Sequence, residues 1–210
     1  GYTDDRIILI VEDDIADNVS NPNKGVIQVT IGGNNVYENV EIDYRMSSLK
    51  AKDILAILNG EKSESLPTVI ESTENDNLFV FWSGHGVPGA MCWDEEPYAM
   101  TGDDLSTVFK DMNLKRRYRK LLMMVEACFS GGVMEQCEGI PGMLFITAAN
   151  GDETSKADVF NGEMKVWMSN RFTSTFIEQI TDNKDVAMRD LYYRLFINTV
   201  GSHVMVYNAE

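Results

Sequence analysis

Two histidines and three cysteines carry all the imidazole and thiol chemistry of this 210-residue chain. One of each stands at the end of an apolar run. Residues 78–82, Leu-Phe-Val-Phe-Trp, lead directly into Ser83-Gly84-His85-Gly86. Residues 121–125, Leu-Leu-Met-Met-Val, lead into Glu126-Ala127-Cys128-Phe129-Ser130-Gly131-Gly132. Both runs have the length and continuity of strands buried on both faces. Sites in open parallel sheets form beyond the carboxyl ends of the strands. If these two strands are neighbours, His85 and Cys128 emerge from one sheet edge on adjacent loops. The chemistry would be that of a thiol nucleophile, because a neighbouring imidazolium favours the reactive thiolate. The Gly86 and Cys128 N–H groups are the expected donors to a developing oxyanion. Glycine beside His85 allows close backbone approach. Glycines after Cys128 suit a tight turn into a helix whose dipole also favours thiolate. A single buried Cys is ordinarily a packing residue, and a single His beside Gly a turn residue. Their joint placement at successive strand ends points to catalysis.

The elements that must position this pair follow from periodicity. Residues 7–11 and 143–147 predict two more buried strands. Helical spacing covers 49–58 and 104–112, the second after the N-cap candidates Thr101 and Asp103. Two further helices are expected over 166–180 and 186–199. Residues 26–40, alternating about Gly32-Gly33-Asn34-Asn35, predict a hairpin. The polar stretch 61–77, with Pro67, predicts a surface loop. Strands alternating with helices imply an α/β domain with a mostly parallel sheet, and residues 1–210 are expected to form one domain.

Composition narrows the function. With 18 Lys+Arg against 33 Asp+Glu the formal charge is −15. The one basic run, residues 115–120, is too short to suggest nucleic-acid binding. No apolar run approaches the length of a transmembrane helix, so direct membrane insertion is not expected. No signal peptide precedes Tyr2, which fits a cytosolic protein or a processed or truncated chain. Three cysteines are too few for a disulfide framework. A zinc site from Cys92, Cys137 and a histidine lacks the usual spacing, and no cofactor is expected. Cys92 and Cys137 pair with each other or lie near the substrate groove; the sequence leaves both open. The acidic pairs Asp13-Asp14 and Asp103-Asp104 do not follow a calcium-loop pattern and are expected in turns and helix starts. His203, beside the apolar residues 204–207, is expected to be structural.

The 43-residue spacing of the pair (128 − 85 = 43) and the block Glu126-Ala127-Cys128 follow the logic of the caspase signature. The chain resembles the legumain-like asparaginyl endopeptidases, of the same clan as caspases. The resemblance rests on residues 11–16, the stretch 44–60, His85-Gly86, Tyr118-Arg119-Lys120, Glu126-Ala127-Cys128, Thr147-Ala148-Ala149-Asn150 and Ser202-His203-Val204-Met205. It also resembles the GPI transamidase catalytic subunit at residues 40–45 and 171–173. Ser83-Gly84 departs from the legumain wording before the histidine. The resemblance implies a caspase-like fold and cleavage of a peptide or protein substrate after Asn, and sometimes Asp, through a thioester. Cys128 would attack, His85 would protonate the leaving amine, and the N–H groups of Gly86 and Cys128 would hold the oxyanion. Glu126 matches an acidic residue of the pocket for the Asn side chain, and Glu163 a second one. The family's first strand and helix, with an Asn that orients the histidine and an Arg of the pocket, have no counterpart here. The domain is therefore expected to be N-terminally incomplete, its missing piece being a separate N-terminal fragment that completes it, removed, or not included in this sequence. Gly1 would arise by self-processing after an Asn, or remain from tag removal. The resemblance further implies a secretory, lysosomal or otherwise extracytoplasmic location. Two alternatives stand beside hydrolysis: a transamidase that passes the acyl group to an amine, and an inactive caspase-like interaction module.

Overall fold

The structure, a computed structural model, describes residues 2–12, 14–92 and 99–209. Gly1 and Asp13, for which the sequence raised expectations, lie outside the described residues. A short parallel pair, β1 (Ile10–Val11) and β2 (Tyr44–Arg45), precedes helix α1 (Ala51–Asn59). Strand β3 (Asn77–Ser83) follows, and then an antiparallel meander of β4 (His85–Val87), β5 (Ala90–Cys92) and β6 (Ala99–Thr101). Next come α2 (Gly102–Leu114), β7 (Lys120–Glu126), α3 (Ser130–Met134) and β8 (Met143–Thr147). A hairpin of β9 (Ala157–Asn161) and β10 (Val166–Asn170) leads into α4 (Arg171–Asp182), α5 (Met188–Asn198) and β11 (Met205–Tyr207).

The central sheet has the order β11-β8-β7-β3, with β3, β7 and β8 parallel and β11 antiparallel. Strand β7 sits inside because its apolar run serves both faces. Leu121, Met123 and Val125 join Phe109 and Met112 of α2 and Ile54 and Ile57 of α1 in one core. Met124 turns to the other face, with Ile146, Phe172 of α4, and Leu191 and Leu195 of α5. Full burial of each such side chain is worth about 1.5–3 kcal/mol. Met91, Met100, Met112, Met123, Met124, Met134 and Met143 are all buried, so much of the packing around β7 is thioether. Helix α2 starts where Thr101 and Asp104 cap each other: the Asp104 N–H donates to Thr101 Oγ1 at 3.2 Å and the Thr101 N–H to Asp104 Oδ2 at 3.0 Å. Helix α1 stops at Gly60, whose φ of 70° is a left-handed cap conformation.

This is the expected caspase-like α/β architecture with a mostly parallel sheet, but several local expectations fail. Of residues 7–11 only Ile10–Val11 is strand, because Leu9 bonds Asp43 and Tyr44 instead of the central sheet. Residues 26–40 form no ladder. Side chains hold that loop: Asn35 Oδ1 accepts from the Ile27 and Tyr37 N–H groups, and Asn21 Nδ2 donates to the Ala16 and Val26 carbonyls. Residues 166–170 are strand, not the start of a helix, since Val166 and Trp167 pair with Asn161 and Phe160. The meander after Ser83 has strands of three residues, too short for periodicity to reveal. Among the described residues β3 has a strand neighbour on one side only, and its Phe79 and Phe81 are 41% and 37% exposed.

Candidate active site

Strands β3 and β7 run side by side to a common end, where Ser83 is in register with Glu126. The ladder continues one step further, as the Gly84 N–H donates to the Glu126 carbonyl at 3.0 Å. The chain beyond β3 then folds over the chain beyond β7. A Cβ on Gly86 would overlap the Cys128 carbonyl oxygen outright and sit 3.3 Å from the Ala127 Cβ. Gly86 is thus pressed against Cys128, and the two loops that bear His85 and Cys128 are brought together. His85 is exposed and Cys128 half-buried. Across β4–β5, His85 is paired in register with Cys92, so these two side chains share a face with Cβ atoms about 5 Å apart.

Cys128 sits at a turn whose next residue, Phe129, has a φ of 55°. The left-handed residue of the turn is thus Phe129 and not a glycine, at a strain of about 1 kcal/mol. The following glycines serve packing. A Cβ on Gly131 would fall 2.6 Å from the Tyr207 hydroxyl and 2.9 Å from the Asn150 backbone, and one on Gly132 would meet Gly151 Cα at 3.4 Å. The turn is held from below by the loop beyond β8. The Phe129 N–H donates to the Glu153 carbonyl at 2.8 Å and the Gly131 N–H to the Ala149 carbonyl at 3.0 Å. The Cys128 N–H meets no acceptor among the described residues. Ser155 of the same loop places its hydroxyl 4.0 Å from Cys128 Sγ.

Glu126 is 1% exposed. Its Oε2 accepts both the backbone N–H and the hydroxyl of Thr173, each at 3.0 Å, in the first turn of α4. Its Oε1 is buried and accepts no hydrogen bond of ordinary geometry among the described residues. Burial pushes the Glu126 carboxyl above its ordinary range, against the opposing pull of Thr173, Ser155 and Phe172. Glu163 is elsewhere. It is exposed at the tip of the β9–β10 hairpin, where its N–H donates to Asn161 Oδ1 at 3.0 Å. Four residue steps separate Asn161 from Ala157 at the hairpin base, about 13 Å of strand. The structure brings His85, Gly86, Glu126 and Cys128 to one end of the sheet, while Glu163 shares no hydrogen bond or ion pair with any of them among the described residues.

Sequence reasoning passed over Ser155, Glu153 and Thr173. The first two lie just beyond β8, a third parallel strand ending at the same edge, so the strand-end rule that located His85 and Cys128 would have reached them too. All three cysteines are free. Cys137 is buried, and its thiol is pushed up to about 12 by burial. Among the described residues no group of three or more His, Cys, Asp and Glu side chains is arranged to hold a metal ion.

The loop beyond β8 is tied to the C-terminal segment by one carboxylate. Glu153 Oε1 accepts from the Asn150 N–H at 3.1 Å and the His203 N–H at 2.7 Å, and its Oε2 lies 2.9 Å from His203 Nδ1. Burial raises the Glu153 carboxyl, but these hydrogen bonds and the His203 charge outweigh it and leave it below the ordinary value of 4.5. A carboxyl depressed on folding stabilises above its unfolded value, and that contribution is lost as pH falls through the folded one. Amide exchange protection over residues 150–155 should therefore hold down to about pH 4.5 and fall in more acidic solution. Constant protection from pH 6 to pH 3 would contradict this assignment.

Comparison with known proteins identifies the family of the chain. A model of the Peptidase C13 family matches residues 1–210. The chain is 29% identical to legumain of Rattus norvegicus over 217 aligned residues, 100% of this chain and 49% of that protein. It is 35% identical to a vacuolar-processing enzyme of Vicia sativa over 161 residues, covering 74% of this chain and 32% of that one. It is 29% identical to a vacuolar-processing enzyme of Citrus sinensis over 227 residues, 99% of this chain and 45% of that one. The chain thus spans at most about half the length of these curated relatives.

Proposed function

Because the chain belongs to the Peptidase C13 family, we propose that it is a cysteine endopeptidase that cleaves peptide bonds after Asn. What carries this reading is the apposition of Gly86 and Cys128 at the shared end of β3 and β7. The Cys128 sulfur attacks the scissile carbonyl carbon, and the carbonyl electrons move onto oxygen, held by the Gly86 and Cys128 N–H groups. Collapse expels the amine, which takes its proton from His85 and leaves a thioester on Cys128. Water, giving its proton to His85, then attacks the thioester and releases the new carboxylate and the thiol.

The Asn preference comes from Glu126. Its Oε2 is occupied by Thr173, while Oε1 accepts no hydrogen bond of ordinary geometry among the described residues and would receive the side-chain amide of Asn when the pocket opens over it. An Asp side chain is repelled by an ionised Glu126 and enters once either carboxyl is protonated, that is, as pH falls. Glu126→Gln keeps the shape and removes the charge that accepts. Charge-assisted bonds of about 1.5–3 kcal/mol imply a drop of roughly 10–100-fold in kcat/KM on an Asn-coumarin peptide. Glu163→Gln is expected to leave that rate unchanged. Equal cleavage after Asn and Ala by the unmodified enzyme would reject the proposed specificity.

Product analysis with an added amine separates hydrolysis from transfer, and exclusive hydrolysis excludes a transamidase. Among the described residues β3 has no strand partner on one edge, which suits the addition of a further strand from a separate N-terminal segment. Similarity to vacuolar-processing enzymes supports an extracytoplasmic location. No helix among the described residues is long and apolar enough to cross a membrane.

A further inference from the structure

We infer that His203, the histidine outside the catalytic pair, is a positioning residue for Cys128 that acts through Glu153. The inference rests on the reading of Cys128 as the nucleophile. His203 lies just before β11, far along the chain from Cys128, and reaches it in two links. In the first, the His203 backbone N–H and ring Nδ1 both engage the Glu153 carboxylate, at 2.7 and 2.9 Å. In the second, the Glu153 carbonyl accepts the Phe129 N–H at 2.8 Å. Phe129 is the left-handed residue directly after Cys128. A turn in that conformation persists only where its surroundings determine it, and the Glu153 carbonyl is a fixed point that does so. The same loop carries Ser155, 4.0 Å from the Cys128 sulfur.

The rest of the loop is anchored without His203. Ser202 Oγ donates to the Ala148 carbonyl at 2.6 Å, and the Ala149 carbonyl accepts from the Gly131 N–H and the Thr147 hydroxyl. These bonds hold the stem of the loop, and the Arg171 N–H, donating to the Lys156 carbonyl at 2.8 Å, holds its far end. Between the two anchors the Glu153 side chain is fixed by the Asn150 and His203 contacts to its carboxylate. His203 is largely exposed at its ring and faces the carboxylate from outside. Its loss therefore loosens the middle of the loop around Glu153 and opens no cavity in the core. The ring can be replaced by another donor of similar reach, and glutamine is one.

The test compares His203→Ala, His203→Gln and Glu153→Gln in the full chain by two readouts. The first is the rate at which iodoacetamide alkylates Cys128, followed by peptide mass spectrometry. The second is kcat and KM on the Asn-coumarin peptide. His203→Ala should slow both alkylation and kcat by roughly 3–10-fold with KM within twofold, since the nucleophile and not the substrate pocket is displaced. His203→Gln should retain at least half of both rates. Glu153→Gln should follow His203→Ala and show no further loss when combined with it. Wild-type alkylation in His203→Ala, a loss confined to KM, or a His203→Gln variant as slow as His203→Ala would each overturn the inference. If the unmodified chain cleaves no peptide, the proposed peptidase function fails, while the alkylation rates still decide the role of His203.

Discussion

Cys128→Ala is expected to reduce turnover of an Asn-coumarin peptide to background, a loss of roughly 10³–10⁶-fold. The size follows from the chemistry assigned to the site. The thiol forms the bond that splits one difficult acyl transfer into two easier ones, and alanine forms none. No neighbouring group takes its place. Ser155, 4.0 Å away, belongs to a separate loop, and its hydroxyl has no thiolate character. The Cys92 thiol is paired in register with His85 on β5, not on the turn that carries the Cys128 N–H. Substrate binding should survive, because Glu126 and Thr173 are untouched, so the variant in excess over the peptide should sequester it and slow its cleavage by the wild type. Equal, background-level rates for wild type and variant would instead favour an inactive interaction module.

Gly86→Ala should have an effect nearly as large for a different reason. One methyl group is added, yet it would occupy the position of the Cys128 carbonyl oxygen. Backbone atoms cannot swing aside as a flexible side chain does. Either the β4 strand or the turn after β7 must shift by a substantial fraction of an ångström. A displacement of that order removes the oxyanion donor from its target and carries His85 away from Cys128. A fall in kcat of at least 100-fold is expected, with a smaller change in melting temperature, because β4 itself is mostly exposed. Steady-state kinetics and thermal denaturation of one preparation separate the two effects. A Gly86→Ala enzyme within fivefold of wild type would show that the two loops are not in contact.

The long-range plan was legible in the residues wherever burial is two-sided. Leu121 to Val125 and Met143 to Thr147 have one use as apolar runs, and the parallel sheet follows from them. Cys128 was legible because it follows closely on the first of those runs, and His85 because it follows residues 78–82, whose strand is half-exposed rather than buried on both faces as expected. What lies between was not. Phe129 takes the left-handed conformation beside glycines that do not need it, and it does so because Glu153 holds its N–H. No propensity registers a constraint imposed from 24 residues away. Val166 to Asn170 have strand chemistry next to helix chemistry, and only pairing with Ala157 to Asn161 decides between them. His203 sits in an apolar context that suggests structure alone, because its partner Glu153 is 50 residues distant.

The thioether-rich packing around β7 gives the fold an internal clock. In the folded state Met91, Met100, Met112, Met123, Met124, Met134 and Met143 are closed to dissolved peroxide. Conversion to sulfoxide therefore has to wait for each region to open, and oxidation inserts a polar oxygen that hinders reclosure. An oxidant strong enough to modify the half-buried Cys128 sulfur would leave the protein folded at first. Lasting damage would accumulate only at the pace of its own unfolding.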